Sequence, residues 1–418
     1  MINRMNYLNK IRRCHSIIKD DIIETPIQLN KRLSDIYKAR IYFKREDLQT
    51  TRSFKIRGSL NKIKSLSKHD INNTNGVICA SAGNHAQGFA YSCNKLKIYG
   101  KVYMPVTTPK QKIERVKIFG GEYVDIILTG DNFDDAQHEA QKQNTDKNLF
   151  VHAFDDVKVI EGQGTVGLEI LDQVDKYFDY LIVPVGGGGL ISGIITVFKE
   201  LSPKTKIIGV EAEGAPAMSK SIKDGKIIEL KTIDNFVDGV SIKKIGKIPF
   251  EICKNYLDEM LLVPEGKICQ TILDLYNKDG IVVEPAGAIG VSAIELNSKK
   301  FENKNVGVLI CGGNNDFTRM AEIRERALFY SNLKHYFIVK FPQRAGALKE
   351  FVNSVLGKND DITFFEYMKK NNRENGTAII GIELKFSKDL DDLMKKMKEN
   401  GFFGEYLNEK PETLRFLI

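Results

Sequence analysis

The chain is predicted to be a parallel α/β protein followed by a small α+β domain, and three observations predict it. Short apolar runs alternate with amphipathic, helix-like stretches through most of the 418 residues, the rhythm of strands joined by crossover helices. Two of those runs end in loops of glycine and small polar residues, SAGNHAQG at Ser81–Gly88 and GGGG at Gly186–Gly189, each leading into a helical pattern. After Arg319 the rhythm changes to a β-α-β-β-α-β order with a hairpin at its centre.

The elements follow in order. Val77–Ala80, Lys101–Met104, Tyr180–Val185, Lys206–Val210 and Val306–Ile310 each read as a buried strand followed by a turn and a helix. A charged helix, Met320–Phe329, then leads into the tail, where Tyr336–Phe341 reads as a strand and Gly346–Leu356 as a helix. Ile362–Met368 and Ala378–Leu384 alternate on either side of the polar turn NNRENG, as hairpin strands do. Leu390–Met397 is again helical, and a last strand falls at Phe402–Leu407, so the order is ferredoxin-like. The expected division is 1–319, a linker helix at 320–333, and a second domain at 334–418.

Composition narrows the function classes. With 42% hydrophobic and 28% charged residues the chain is long enough for two or three domains with sizeable cores, and disorder is not expected. The formal charge of +8 does not make a nucleic-acid binder, because basic and acidic residues interleave, as in EIRER, and form no long cationic block. Cys14, Cys79, Cys93, Cys253, Cys269 and Cys311 show no CxxC pairing, which fits a reducing cytoplasm. The first residues, MINRMNYLNKIRRCHSIIKDD, lack the apolar stretch of a signal peptide, and no later segment is apolar enough to span a bilayer, so neither membrane nor export is expected.

Lys55, in SFKIRG, gains meaning from the two loops downstream of it. A lysine alone is a solvated charge; one accompanied by an anion-cradling glycine loop and a polar strand-to-helix loop suggests a Schiff base with a phosphorylated aldehyde, pyridoxal phosphate. GGGG lies between the strand-like DYLIVPV and the helix-like LISGIITVFKE, where unpaired N–H groups and the helix dipole favour a phosphate. From this loop alone a dinucleotide remains open, since Gly187, Gly189 and Gly193 give a stretched fingerprint and Glu211 stands where a ribose-binding acid would. Lys55 and Asn84 favour the phosphorylated aldehyde. SAGNHAQG presents Ser, Asn and His at a helix N-terminus, a setting that suits a carboxylate, although His85 by itself reads as structural or helix-capping. The six histidines are scattered and offer no metal cluster.

In order along the chain, KREDLQTTRSFKIRG, SAGNHAQG, EGQGT, GGGGL, EPAGA and CGGN resemble the fold-type II pyridoxal-phosphate enzymes, and in detail the threonine dehydratases, over about Ile17 to Asn314. The tail from Lys334 is similar to the ACT-like regulatory domain of the biosynthetic branch, in a single copy and with FPQRAGAL where relatives usually read FPERPGAL. The resemblance implies a two-lobed catalytic region, the smaller lobe, roughly 45–150, being inserted in the larger. It implies that Lys55 binds the cofactor covalently and is the catalytic base, that Phe54 packs beside the cofactor, and that Asn84 bonds its ring hydroxyl. Gly186, Gly187, Gly188, Gly189 and Leu190 would hold the phosphate, and Ser81, Gly83, Asn84 and His85 the substrate carboxylate. Cys311 takes the place opposite the pyridine nitrogen; its other reading is a buried small hydrophobe.

A neutral thiol there leaves the pyridine nitrogen largely unprotonated, which favours elimination over racemisation. Ala82 stands where the related serine racemases have the serine that works on the far face of the cofactor, and Ala217 where a second metal carboxylate would be. No divalent metal is therefore expected, with Glu211 read as a helix-cap or monovalent-ion contact. The activity implied is deamination of L-threonine, and less efficiently L-serine, to a 2-oxo acid and ammonia on the way to isoleucine. A homotetramer with isoleucine as effector is the accompanying expectation. The alternatives are a catabolic serine/threonine dehydratase, a serine racemase, and a catalytically silent amino-acid sensor on the same scaffold.

Overall fold

Strands covered on both faces lose the polar alternation of a half-exposed sheet, and the runs VICA and NVGVLI are buried almost throughout. The computed structural model describes residues 4–66, 74–145, 148–367 and 375–410. Up to Asp316 they form one compact unit, and from Phe317 a second.

The first unit holds two sheets. The larger is built from β1 (Ile27–Leu29), β2 (Arg40–Arg45), β7 (Tyr180–Pro184), β8 (Lys206–Ala212), β9 (Glu259–Val263) and β10 (Asn305–Ile310). Its order is β1-β2-β10-β7-β8-β9, with β1 antiparallel and every other pairing parallel. Between β2 and β7 the chain builds the smaller sheet from β3 (Val77–Ala80), β4 (Gly100–Met104), β5 (Val124–Leu128) and β6 (Leu149–Phe150), in the order β5-β4-β3-β6 and wholly parallel. The observed strands lie within two residues of the apolar runs, because burial on both faces is what made those runs continuous.

Helices pack against one another through glycines. A Cβ on Gly162, in the helix Val157–Gln173, would meet the carbonyl oxygen of Arg57 at 2.5 Å, and one on Gly88, in the helix Asn84–Leu96, would meet the Ile56 nitrogen at 2.9 Å. The helix Lys55–Lys64 thus runs between two neighbours at main-chain contact. Two residues beyond Gly162, Gly164 lies against Gly193 of the helix Gly189–Leu201, where a Cβ on Gly193 would be 2.5 Å from the Gly164 nitrogen.

The second unit is an antiparallel sheet of β11 (Lys334–Pro342), β12 (Asp361–Tyr367), β13 (Asn375–Glu383) and β14 (Phe403–Tyr406), in the order β12-β13-β11-β14, with the helices Ala347–Ser354 and Leu390–Glu399. Its core is its own: Phe337, Phe341, Phe351, Ile380, Met397 and Phe402 are buried together. β13 starts three residues before the predicted strand, since Asn375 pairs with Pro342 although nothing in its polarity marks it. The turn NNRENG lies mostly outside the described residues. The helix Met320–Tyr330 packs on this sheet: Phe329 stacks on Tyr336 at 5.9 Å between ring centroids, and the Tyr336 hydroxyl donates to Glu325 Oε1 at 2.9 Å.

Candidate active site

Parallel α/β sheets gather their loops at the carboxyl ends of the strands, and the motif residues collect there. Ser81 follows β3, Gly186 follows β7 and Cys311 follows β10. Lys55 opens its helix directly after Phe54, and the Phe54 N–H donates to the carbonyl of Cys311 at 3.3 Å, which joins the lysine segment to the end of β10.

Lys55 is partly buried, and its Nζ donates to the carbonyl of Ala153 at 3.0 Å while lying 5.3 Å from the centre of the Phe54 ring. Burial pulls its ammonium down to about 8, because the charged form loses more solvation than the neutral amine. Phe154, next to that carbonyl, packs its ring onto Gly187, where any Cβ would collide with it. The lysine and the glycine loop are therefore spaced by the segment Ala153–Phe154.

The glycine loop is an open donor array. Val185 N–H bonds Val210 and Ser192 N–H bonds the carbonyl of Gly188, but the N–H groups from Gly186 to Ile191 find no protein acceptor among the described residues. Gly188 caps the helix at φ +89°, a conformation that side chains disfavour, and no side chain caps that end. A row of free N–H groups at a helix N-terminus is a cradle for a dianionic phosphate.

Asn84 is held at both ends. Its Nδ2 donates to Glu284 Oε1 at 2.7 Å, and its Oδ1 accepts from Asn314 Nδ2 at 2.8 Å. The second hydrogen on Nδ2 is left for a further acceptor. Asn314 also donates to the carbonyl of Thr51 at 2.9 Å, so one amide joins the lysine segment, the Asn84 loop and the CGGN turn. Gly312 has no room for a side chain, because Glu284 and Asn84 occupy the space where its Cβ would be. Burial, with Asp238 adding to it, pushes the Glu284 carboxyl up to about 7. Cys311 is buried, and burial raises its thiol well above the ordinary range, so it is neutral.

In the Asn84 loop, Gly83 N–H donates to Ser81 Oγ at 3.2 Å, and the helix begins at Asn84 without a side-chain cap. The structure places the His85 imidazole elsewhere: Nε2 donates to the Val151 carbonyl at 2.9 Å, leaving Nδ1 as acceptor for the Ser59 hydroxyl at 3.3 Å. Burial lowers its proton affinity to about 3, so the ring is neutral, and the group it offers a carboxylate at this helix end is its backbone N–H. Glu211 accepts from the N–H groups of Met218 and Ser219 and from the Ser219 hydroxyl, which makes it an acceptor at the start of the helix Ala217–Asp224. Among the described residues no group of three His, Cys, Asp or Glu side chains could hold a metal ion.

Sequence reasoning missed Glu284 and Phe154. EPAGA marked Glu284 as part of a motif, and a carboxylate ahead of a proline at the first helical position was the available signal; Phe154 had none.

Comparison with known proteins agrees along the whole chain. Residues 18–312 match the family described as pyridoxal-phosphate dependent enzyme, and residues 325–417 match the C-terminal regulatory domain of threonine dehydratase. The chain is 54% identical over 402 residues to the biosynthetic L-threonine dehydratase IlvA of Halalkalibacterium halodurans, covering 96% of each chain. It is 49% identical over 417 residues to that of Bacillus subtilis, covering 100% of this chain and 98% of the relative. Among solved structures, the processed form of threonine deaminase isoform 2 from Solanum lycopersicum superposes with a TM-score of 0.73 at 38% identity, over 78% of this chain and 93% of that one. Maize serine racemase gives 0.70 at 28% identity, over 77% and 98%.

Proposed function

Since the chain belongs to the pyridoxal-phosphate dependent enzymes and carries the regulatory domain of the threonine dehydratases, we propose that it deaminates L-threonine to 2-oxobutanoate and ammonia, the step that leads towards isoleucine. The observation that carries this reading is the pairing of Lys55, its amine lowered to about 8, with the run of unpartnered N–H groups from Gly186 to Ile191. Together they fit a phosphorylated aldehyde: one end of the site is a nucleophilic amine and the other an anion cradle.

Gly186, Gly187, Gly188, Gly189 and Leu190 would hold the phosphate, Phe54 would flank the ring, and the remaining Nδ2 hydrogen of Asn84 would reach the ring hydroxyl. When bound, pyridoxal phosphate supplies an electron sink that acidifies the Cα–H of the amino acid and lets its β-hydroxyl depart. Cys311, kept neutral by burial, would give the pyridine nitrogen no charged partner, which would keep that sink moderate. Ser81, its hydroxyl held by the Gly83 N–H, and the N–H groups of Asn84 and His85 would orient the substrate carboxylate at a helix N-terminus. Lys55, its buried amine lowered to about 8 in the cofactor-free chain, would take the Cα proton. Ala82 offers no hydroxyl from which a proton could return on the far face, which speaks for elimination rather than racemisation.

L-Serine lacks one methyl group, a difference worth about 1–3 kcal/mol in a pocket, so it is turned over roughly 10–200-fold less efficiently. Isoleucine is the effector proposed for the second unit and a homotetramer the proposed assembly, working in the cytoplasm; among the described residues no helix is long and apolar enough to cross a membrane. The test is direct. Lys55→Ala should give a folded protein that forms no 2-oxobutanoate from L-threonine and shows no lysine-bound cofactor absorbance; retained activity overturns the proposal.

A further inference from the structure

Arg57 lies two residues beyond Lys55 and is wholly buried, an unusual place for a guanidinium. Its Nε and one terminal nitrogen grip both oxygens of Glu46, at 2.9 and 2.8 Å, and its terminal nitrogens also grip both oxygens of Glu169, at 2.5 and 2.8 Å. Thr165 Oγ1 accepts a further bond at 3.1 Å. Lys44, also buried, donates to Glu169 at 2.7 Å and to the Thr25 carbonyl at 2.6 Å, and the Thr25 hydroxyl donates to Glu46. Two cations thus face two anions, and the cluster is charge-balanced.

A buried network of this kind adds little net stability, since desolvation offsets most of the Coulomb attraction; its strength is orientation. At 3.6 residues per turn, positions two apart lie about 200° apart round a helix, so Arg57 faces away from Lys55. The helix Lys55–Lys64 lies at main-chain contact with Gly88 and Gly162, its apolar side chains Ile56, Leu60 and Ile63 are buried, and Ser59 and Asn61 each make one further hydrogen bond, to His85 and to the Lys158 carbonyl; apolar packing holds distance but is not directional. A planar guanidinium forked onto two carboxylates fixes direction as well as distance. We propose that Arg57 is a positioning residue, the rotational lock that aims the Lys55 amine from the opposite face of the helix through Glu46 and Glu169.

The proposal rests on Lys55 being the lysine that binds the cofactor. The full-length chain, freed of cofactor, is mixed with pyridoxal phosphate, and the rate at which the borohydride-trappable lysine-bound form appears is recorded with the melting temperature, kcat and KM. Arg57→Lys keeps the charge but loses the fork; trapping and kcat should fall between about tenfold and a hundredfold, with KM for L-threonine changed less than about threefold. Arg57→Met combined with Glu46→Gln removes one charge of each sign and leaves Lys44 paired with Glu169. This balanced variant should melt close to the wild type and still trap slowly. If trapping recovers with the melting temperature, or Arg57→Lys traps within twofold of the wild type, the lock is refuted and the network only stabilises. Should both variants fail to fold, Thr165→Val, nearly isosteric, removes the bond from Arg57 together with the one that the hydroxyl donates to the Gly162 carbonyl; a two- to fivefold slower trapping is expected, and an unchanged rate refutes the lock. Absence of trapping in the wild type is a separate outcome, which overturns the role of Lys55 itself and with it the proposal.

Discussion

Lys55 sits where its own protonation governs its chemistry. Burial lowers the amine from its usual 10.5 to about 8, so the neutral, nucleophilic form is the minority below pH 8 and the majority above it. The rate at which pyridoxal phosphate couples to the cofactor-free chain should therefore fall about tenfold per unit below pH 8 and level off above about pH 9. A coupling midpoint above pH 10, followed by absorbance across that range, would mean the amine is solvated. At the same scale the sequence was informative about single residues and silent about their partners. Lys55, Asn84 and Cys311 could be singled out because each sits in a short motif. Glu284 bonds Asn84 from 200 positions away, and Glu169 bonds Arg57 from 112, distances over which no local pattern reports a contact. His85 belonged to a polar loop motif, yet its ring is spent on Val151 and Ser59, because side-chain direction at a helix start is decided by packing.

Among elements, strands were legible and joints were not. Burial on both faces writes itself into a sequence as an apolar run, whereas the contact between two helices at a glycine leaves only a glycine. EGQGT was visible as a motif, but only the structure shows that Gly162 meets the lysine helix at Arg57 and Gly164 meets the phosphate-loop helix at Gly193. Gly162→Ala should therefore do two things. The added methyl meets main-chain atoms that have no rotamer to yield, so stability should fall by about 1–3 kcal/mol, and kcat should drop more than KM rises because the lysine helix is displaced. Denaturant midpoints together with steady-state kinetics check both, and an unaltered kcat in the destabilised protein would separate packing from catalysis.

For the whole molecule, the break between units matters for how the tail is removed. The helix Met320–Tyr330, expected from sequence as a linker, carries Glu325 and Phe329 against Tyr336 of β11, with Ile323 buried. Its charged face made it look like a connector, and the hydrophobic contacts that assign it to the second unit are too few to show as periodicity. A chain ending at Asp316 removes this helix together with the sheet it packs on, whereas one ending near Tyr330 would keep the helix without that sheet. The shorter chain should keep turning over L-threonine and ignore isoleucine, while the full chain should be inhibited about five- to a hundredfold at saturation, the range of a typical coupling energy. Rates of 2-oxobutanoate release with and without isoleucine decide this; a full-length enzyme indifferent to isoleucine would send the second unit's role to assembly or another ligand.

The glycines at which the helix Val157–Gln173 meets its neighbours also shape how this protein is able to change over generations. Gly162 abuts the segment that starts with the reactive amine, and Gly193, in the segment that starts with the anion cradle, abuts the backbone of Gly164, so at Gly162 and at Gly193 the spacing is gauged by bare peptide. Glycine is the smallest residue the code offers. Every mutation at either position adds bulk, and every addition drives the two segments apart; none draws them closer. Drift at this joint is a ratchet with one direction, and recovery from a widened gap has to come from somewhere other than the positions that widened it.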